Sequence, residues 1–401
     1  MRGGMTARER VARAMRLETP DRVPVFCQLA LGHYFLNAGL PAHRVWFTSE
    51  GFAEALVKLQ RRYRFDGLLI NLPGRPPKLL DQLRRVEKTA DGERLYWNND
   101  ETTFVPADDN PRHYSADGGP TRRAEFAGID PDKLEGIANF SGYWWNTLHV
   151  PWLDGARPGL LLDVPDYFLN TIRLVLAATR GEVSVNGEVF SPYTHFMELL
   201  GYENALMALI DDPPKVHALL HRLTESSIAW AVAQARAGVD AVLISSAFAG
   251  GGFLSREMYA EFVLPYERRV ADAVRAEKKP VYTHTCGNIG DRLDLMVETH
   301  IDGLDTMDPP PLGNCLLDDA KREVGRKVFL KGNMNSVELL RAKSENEVAA
   351  EANRCLKAAR AGGGYILSTA CSVAPRVEPW KLELLVPLAE RGGSYESSSA
   401  S

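Results

Sequence analysis

Cysteine is scarce, with five in 401 residues (Cys27, Cys286, Cys315, Cys355 and Cys371). So few, and an odd number, exclude a disulfide framework in a chain this long. They fit a reducing compartment, where a thiol is buried filler, a metal ligand or a nucleophile. No apolar run approaches the roughly 20 residues of a spanning helix. The first ten residues, Met1 to Arg10, are charged and lack the apolar core of a signal peptide. A cytoplasmic location with no membrane partner is therefore expected. Charge of one sign is not in excess either: Lys+Arg 47 against Asp+Glu 52 gives −5, and nothing overall advertises nucleic acid. Dinucleotide, phosphate-loop, nucleophile-elbow and His-Glu-x-x-His motifs are absent, so nicotinamide chemistry, nucleotide hydrolysis and serine hydrolysis have no sequence support.

What is present is an alternation of short apolar β-prone runs with amphipathic helical patterns. The runs are Arg22–Phe26, Asp66–Asn71, Glu182–Glu188, Val239–Ser246, Pro280–Cys286, Ile301–Met307, Lys327–Asn333 and Gly364–Cys371. Near-continuous apolar runs bounded by turn residues predict strands buried on both faces. Eight such repeats predict an α/β fold, a (β/α)8 TIM barrel over 1–390, with a doubly wound sheet as the alternative. A capping pattern, Thr6 followed by Glu9, opens an N-terminal helical extension. An insertion of about 75–158 follows the second strand. It holds a hairpin over Leu83 to Val105 and an aromatic-rich stretch with Tyr143, Trp144, Trp145 and Trp152. A surface insertion with its own small core is the favoured reading, and a cap over the barrel mouth the functional one. Residues 391–401 read as a disordered polar tail.

His284-x-Cys286 puts two soft ligands on one face at the C-terminal end of a strand, which in a barrel is the mouth. Cys371 ends another strand at the same rim. Cys-Cys-His with one open position is a catalytic zinc arrangement. Asp308, before Pro309, reads equally as a fourth ligand or as a turn residue, with Asp305 deeper in the same run. Glu188 ends a strand at that rim, and Asn186, Tyr193, Ser245, Ser246, Asn333 and Asn335 offer groups that could orient a substrate. His217 and His221, four apart on a helix, read as ordinary partly exposed histidines.

At these residues the chain resembles the uroporphyrinogen decarboxylase superfamily, and within it the zinc-dependent methyltransferases acting on methylated corrinoids. The phrases that carry the likeness are Thr6-Ala-Arg-Glu-Arg10, Pro20-Asp-Arg-Val-Pro24, Leu200-Gly-Tyr-Glu203, Ala237-Gly-Val-Asp240, His284-Thr-Cys-Gly-Asn288, Lys331-Gly-Asn-Met-Asn335 and Gly362-Gly-Gly-Tyr-Ile-Leu367. The resemblance implies zinc on His284, Cys286 and Cys371. By similarity to the cobalamin-independent methionine synthases it also implies an acidic ligand, for which Asp308 is the candidate. True decarboxylases of the family carry Arg-Gln-Ala-Gly-Arg after the first strand, where this chain reads Cys27-Gln-Leu-Ala-Leu-Gly32. The expectation is therefore a methyltransferase with Glu188 and Asp308 in catalysis, using zinc and a corrinoid (methylcobalamin) on a partner protein. Its acceptor would be a thiol or tetrahydrofolate, with a homodimer as one assembly open to it. The alternatives are a decarboxylase-like activity or a non-catalytic corrinoid- or tetrapyrrole-binding protein.

Overall fold

The structure is a computed structural model and describes residues 4–118, 124–136 and 163–395. In chain order the strands are β1 (Gly67–Ile70), β2 (Leu83–Lys88), β3 (Gly92–Trp97), β4 (Thr102–Pro106), β5 (Arg112–Tyr114), β6 (Ser184–Phe190), β7 (Ala241–Ser245), β8 (Val281–Thr285), β9 (Gly303–Thr306), β10 (Phe329–Met334) and β11 (Tyr365–Thr369). Seven of them form one parallel sheet in the order β1-β6-β7-β8-β9-β10-β11. Each runs parallel to its neighbour and is separated from it by helical connections, as right-handed crossovers require. Among the described residues no helix is long and apolar enough to cross a membrane.

Side chains alternate along each strand. Val185, Val189, Val242, Ile244, Leu304 and Leu330 turn outward and join the main core beneath the helices. The opposite set, Leu69, Ala241, Leu243, Tyr282, Phe329 and Ile366, converges with Phe26 in a second cluster. Val11, Ala14 and Met15 of the first helix, Ala7–Met15, belong to that second cluster. These inner residues lie near the beginnings of their strands, so the N-terminal helix plugs that end of a curled, barrel-like sheet.

The first predicted strand, Arg22–Phe26, forms no regular ladder, yet its segment occupies the remaining position. Phe26 N donates to Leu367 O (3.0 Å) and Leu367 N to Pro24 O (2.9 Å), while on the other side Asp66 N donates to Val25 O (2.8 Å). Isolated parallel bridges join Val25 to Leu367 and Leu29 to Val373. Pro24 has no N–H to contribute, which limits the ladder there. Asp66, just before β1, fixes this junction: its carboxylate accepts from Arg10 (2.7 Å), Arg22 (2.7 Å) and Val25 N (2.8 Å).

After β7 the chain forms two successive helices, Arg256–Phe262 and Leu264–Ala276, parted just before Pro265, which lacks the N–H that would continue the ladder. One other expectation shifts. Of the tail expected to be disordered, residues 391–395 are ordered: a helix runs over Leu385–Gly392, and Ser394 pairs with Arg22; the remainder lies outside the described residues.

The described part of the insertion is more than a hairpin. β2-β3-β4-β5 make a four-stranded antiparallel sheet. Its buried Leu95, Trp97 and Val105 join the main core, with Trp97 edge-on to Phe47 at 5.1 Å. These residues therefore form no separate core. The Tyr143–Trp152 stretch lies outside the described residues.

Candidate metal centre and its cavity

The strand period builds the site. Above the apolar plug, the inner face continues with Glu188 and Phe190 from β6, Ser245 from β7, His284 from β8, Asp305 from β9 and Lys331 from β10. In register, Phe190 pairs with Ser245, Ser245 with His284, and His284 with Asp305. Cys286 follows β8 on the same face as His284, and Cys371 follows β11.

The donor atoms of His284, Cys286 and Cys371 all lie within 4.8 Å of one another. Cys286 Sγ is 3.8 Å from Cys371 Sγ and 3.4 Å from His284 Nε2, and Cys371 Sγ is 3.9 Å from the same nitrogen. A tetrahedron with Zn–S near 2.3 Å and Zn–N near 2.05 Å has edges of about 3.8 Å (S···S) and about 3.6 Å (S···N). The triad fits zinc in donor type and in spacing, with one corner left open.

Behind the triad stands a buried polar relay. Asp305 Oδ2 lies 3.1 Å from His284 Nδ1, Thr306 Oγ1 lies 2.8 Å from the same nitrogen, and Lys331 Nζ donates to Asp305 Oδ1 at 2.9 Å. A carboxylate on Nδ1 fixes the ring and leaves Nε2 facing the two sulfurs. Burial would raise the Asp305 carboxyl, but the Lys331 ammonium and His284 outweigh it and hold it low. For His284, burial works downward, and hydrogen bonds to Asp305 and Cys371 carry it up to about 10. Cys371 accepts from Cys286 and His284 and is held well below the usual thiol range, while Cys286 is pushed above it. β9 ends in left-handed backbone at Thr306 (φ 84) and Met307 (φ 52). This is costly for a β-branched residue, and it sits where Thr306 reaches His284.

Glycines permit two close approaches. A Cβ on Gly250 would stand 2.2 Å from the Cys286 carbonyl oxygen, and one on Gly32 would stand 2.3 Å from the Asp108 carbonyl oxygen. The second contact holds the loop between β4 and β5 against the mouth.

The triad opens into a cavity of about 600 Å³, within the range of small-molecule sites. Glu188, Phe190, Glu198, Tyr202, Ser245 and Phe248 line it from the sheet and its connections, and Trp46 from the N-terminal region. Asp108, Asp109, Asn110 and Pro111 close it from the antiparallel insertion. The structure thus gives the insertion a share in the mouth.

The predicted site residues separate into two groups. His284, Cys286, Cys371 and Glu188 come together on this cavity. Burial pushes Glu188 up to about 7. Asp308 lies close by, and its Oδ2 accepts from Gly287 N at 2.7 Å, steadying the loop that carries Cys286. Burial raises it to about 6. The others are not on the cavity wall. Asn186 is one pleat deeper, bonded to Ser184 and to the Tyr282 hydroxyl. Tyr193 is buried in the main core. Ser246 is buried on the outward side of its strand, one residue past the cavity-facing Ser245. Asn333 donates to the carbonyls of Met307 and Cys315.

Asn335 caps the helix Ser336–Arg341, accepting from Val337 N and Glu338 N. Asn335→Ala is therefore expected to cost about 1 kcal/mol of stability, read by urea unfolding, with metal content unchanged. A variant as stable as the parent but poor in metal would reverse that assignment. His217 and His221 bond to Tyr266 and Arg269, respectively.

Sequence reasoning did not single out Lys331, Thr306 or the Asp108–Pro111 wall. The signal for Lys331 was available: a lysine in the middle of a buried strand needs an acidic partner on the adjacent strand.

Comparison with known proteins places this geometry. The family model for uroporphyrinogen decarboxylase (URO-D) matches residues 160–391. The uroporphyrinogen decarboxylase of Edwardsiella ictaluri is 31% identical over 250 residues, covering 57% of this chain and 67% of its own. That of Pectobacterium atrosepticum is 32% identical over 251 residues, with the same coverage. The chain thus spans about two thirds of these relatives. Among solved structures, a methyltransferase from Methanosarcina mazei shares the fold at TM-score 0.69 and 19% identity, covering 96% of this chain and 99% of that one. The strand order, the curled sheet and the matched region agree, and the chain belongs to the uroporphyrinogen decarboxylase (URO-D) family.

Proposed function

We propose that the protein is a zinc-dependent methyltransferase that moves a methyl group between a corrinoid on a partner protein and a thiol or tetrahydrofolate, in demethylation or one-carbon metabolism. One observation carries the reading: a Cys-Cys-His triad with tetrahedral spacing and one open corner faces a substrate-sized cavity. The fold relative named a methyltransferase agrees with it in kind. The five cysteines, all free, suit a reducing cytoplasm.

His284 Nε2 and the sulfurs of Cys286 and Cys371 would hold the metal. Zinc bound there would draw down the pKa of a substrate thiol, leaving its sulfur nucleophilic at neutral pH. Asp305 keeps the His284 ring oriented, and Lys331 keeps Asp305 ionised. Asp308 fixes the Cys286 loop through Gly287 N. Glu188 puts a buried carboxyl group on the wall of the cavity that the triad shares. Phe190, Tyr202 and Phe248 supply apolar walls that exclude water from the transferring group.

The purified protein is expected to contain about one zinc per chain by elemental analysis. It should also transfer methyl from free methylcobalamin to a thiol, as read from the cobalamin spectrum, and lose that activity to a chelator. Absence of zinc, or chelator-resistant transfer, defeats the reading.

The second reading is decarboxylation, favoured by the names of the sequence relatives. Among the described residues no lysine or arginine lines the cavity, which is unsuited to a polycarboxylated tetrapyrrole. Carbon dioxide release from uroporphyrinogen, insensitive to chelators, would favour it nonetheless.

A further inference from the structure

The walls of the cavity differ in charge from its rim. Four carboxylates line it and, among the described residues, no lysine or arginine does. At the rim the acids are already matched by outward arginines: Asp108 by Arg376 at 2.6 Å and Asp109 by Arg112 at 3.1 Å. Deeper in, Glu188 is only 4% exposed and makes no ion pair among the described residues. The positive groups that act on it, His284 and Lys331, are both bonded to Asp305, and a buried carboxylate without a counter-cation of its own is costly. The cost is relieved when a ligand brings the positive charge. Glu188 is near enough to His284 for their charges to interact, so that ligand charge would lie close to the triad. Phe190, Tyr202 and Phe248 add aromatic rings to the wall, and such rings attract cations at their faces.

Resting on the thiol-methyltransferase reading above, we propose that the methyl acceptor is a thiol bearing a positively charged group, a protonated amine being the simplest. Its sulfur points to the His284–Cys286–Cys371 triad and its ammonium to Glu188. Acidic thiols and the carboxylate-rich tail of a folate meet like charge in this cavity and are rejected. In the transfer, the acceptor S–H releases its proton to solvent and a sulfur lone pair forms the new S–CH3 bond. The cobalt–carbon bond of the methylated corrinoid breaks with its electron pair left on cobalt.

Three thiols on one two-carbon frame test the charge alone: 2-aminoethanethiol, 2-mercaptoethanol and 2-mercaptoethanesulfonate. Titrated by calorimetry into the zinc-loaded full chain at pH 7, they are expected to rank cation over neutral over anion. Each step should be about tenfold, the scale of one charge–charge contact in a partly desolvated site. Glu188→Gln should collapse the ranking to within about threefold, since the charged contact is the one that differs among the three thiols. The ranking in the unaltered chain stands as a test by itself should that variant not fold. Thiols that bind without charge preference, or with the sulfonate tightest, overturn this proposal and leave the methyltransferase reading intact. If no thiol binds the zinc-loaded chain, this proposal falls together with the thiol form of the methyltransferase reading.

Discussion

Cys371→Ala is expected to empty the metal centre while leaving the fold standing. Cys371 supplies one of three donors and sits, partly exposed, just after β11, so its removal cuts coordination without opening a core cavity. Loss of a partner one shell further out lowers metal affinity about 10–100-fold. Loss of a donor should exceed that, and zinc measured after dialysis should fall from about one per chain to a small fraction. Asp305→Asn should fall within the 10–100-fold range, because the ring keeps its place but loses its anionic anchor. Cys27, Cys315 and Cys355 are the controls. All three are buried, and burial pushes their thiols up to about 11, 12 and 12. Their alanine variants should retain zinc. Full zinc in Cys371→Ala, with the parent's melting temperature, would show that the metal does not need this thiol.

Lys331→Met is expected to give the largest loss of stability among single changes near the site. The Lys331–Asp305 pair is 2.9 Å long with both side chains 2% exposed, and the ammonium also lies 4.9 Å from the centroid of the Phe26 ring. Such a pair contributes little over an apolar replacement, yet breaking it from one side strands a charge and costs about 3–5 kcal/mol. The double variant Lys331→Met with Asp305→Leu removes both charges. It should recover part of that loss in urea unfolding while still binding zinc poorly. An unfolding midpoint unchanged in Lys331→Met would mean that Asp305 does not depend on the lysine for its charge.

Much of the fold and the triad was legible because both follow from period two. His284 and Cys286 had to share a face, and seven of the eight apolar runs became strands of the parallel sheet. What escaped was set by neighbours in space. Asp308 looked nearer the rim than Asp305, but parallel register pairs Asp305 with His284, and positive φ at Thr306 and Met307 turns Asp308 back to Gly287. Ser246 and Ser245 differ by one step, and one step along a strand exchanges the inner face for the outer. Asn335 carries both a cap signal and an amide at the rim, and the helix after it claimed the side chain. The wall formed by Asp108–Pro111 depends on the backbone approach at Gly32 to a loop some 75 positions away, and no local pattern encodes that.

That approach has a consequence for descent. The donors of the triad sit at or just after the ends of barrel strands, whereas part of the mouth belongs to one loop of the antiparallel sheet. Lengthening, shortening or recolouring that loop would reset which molecules enter without disturbing a single metal donor. A lineage built this way can change its diet while keeping its chemistry.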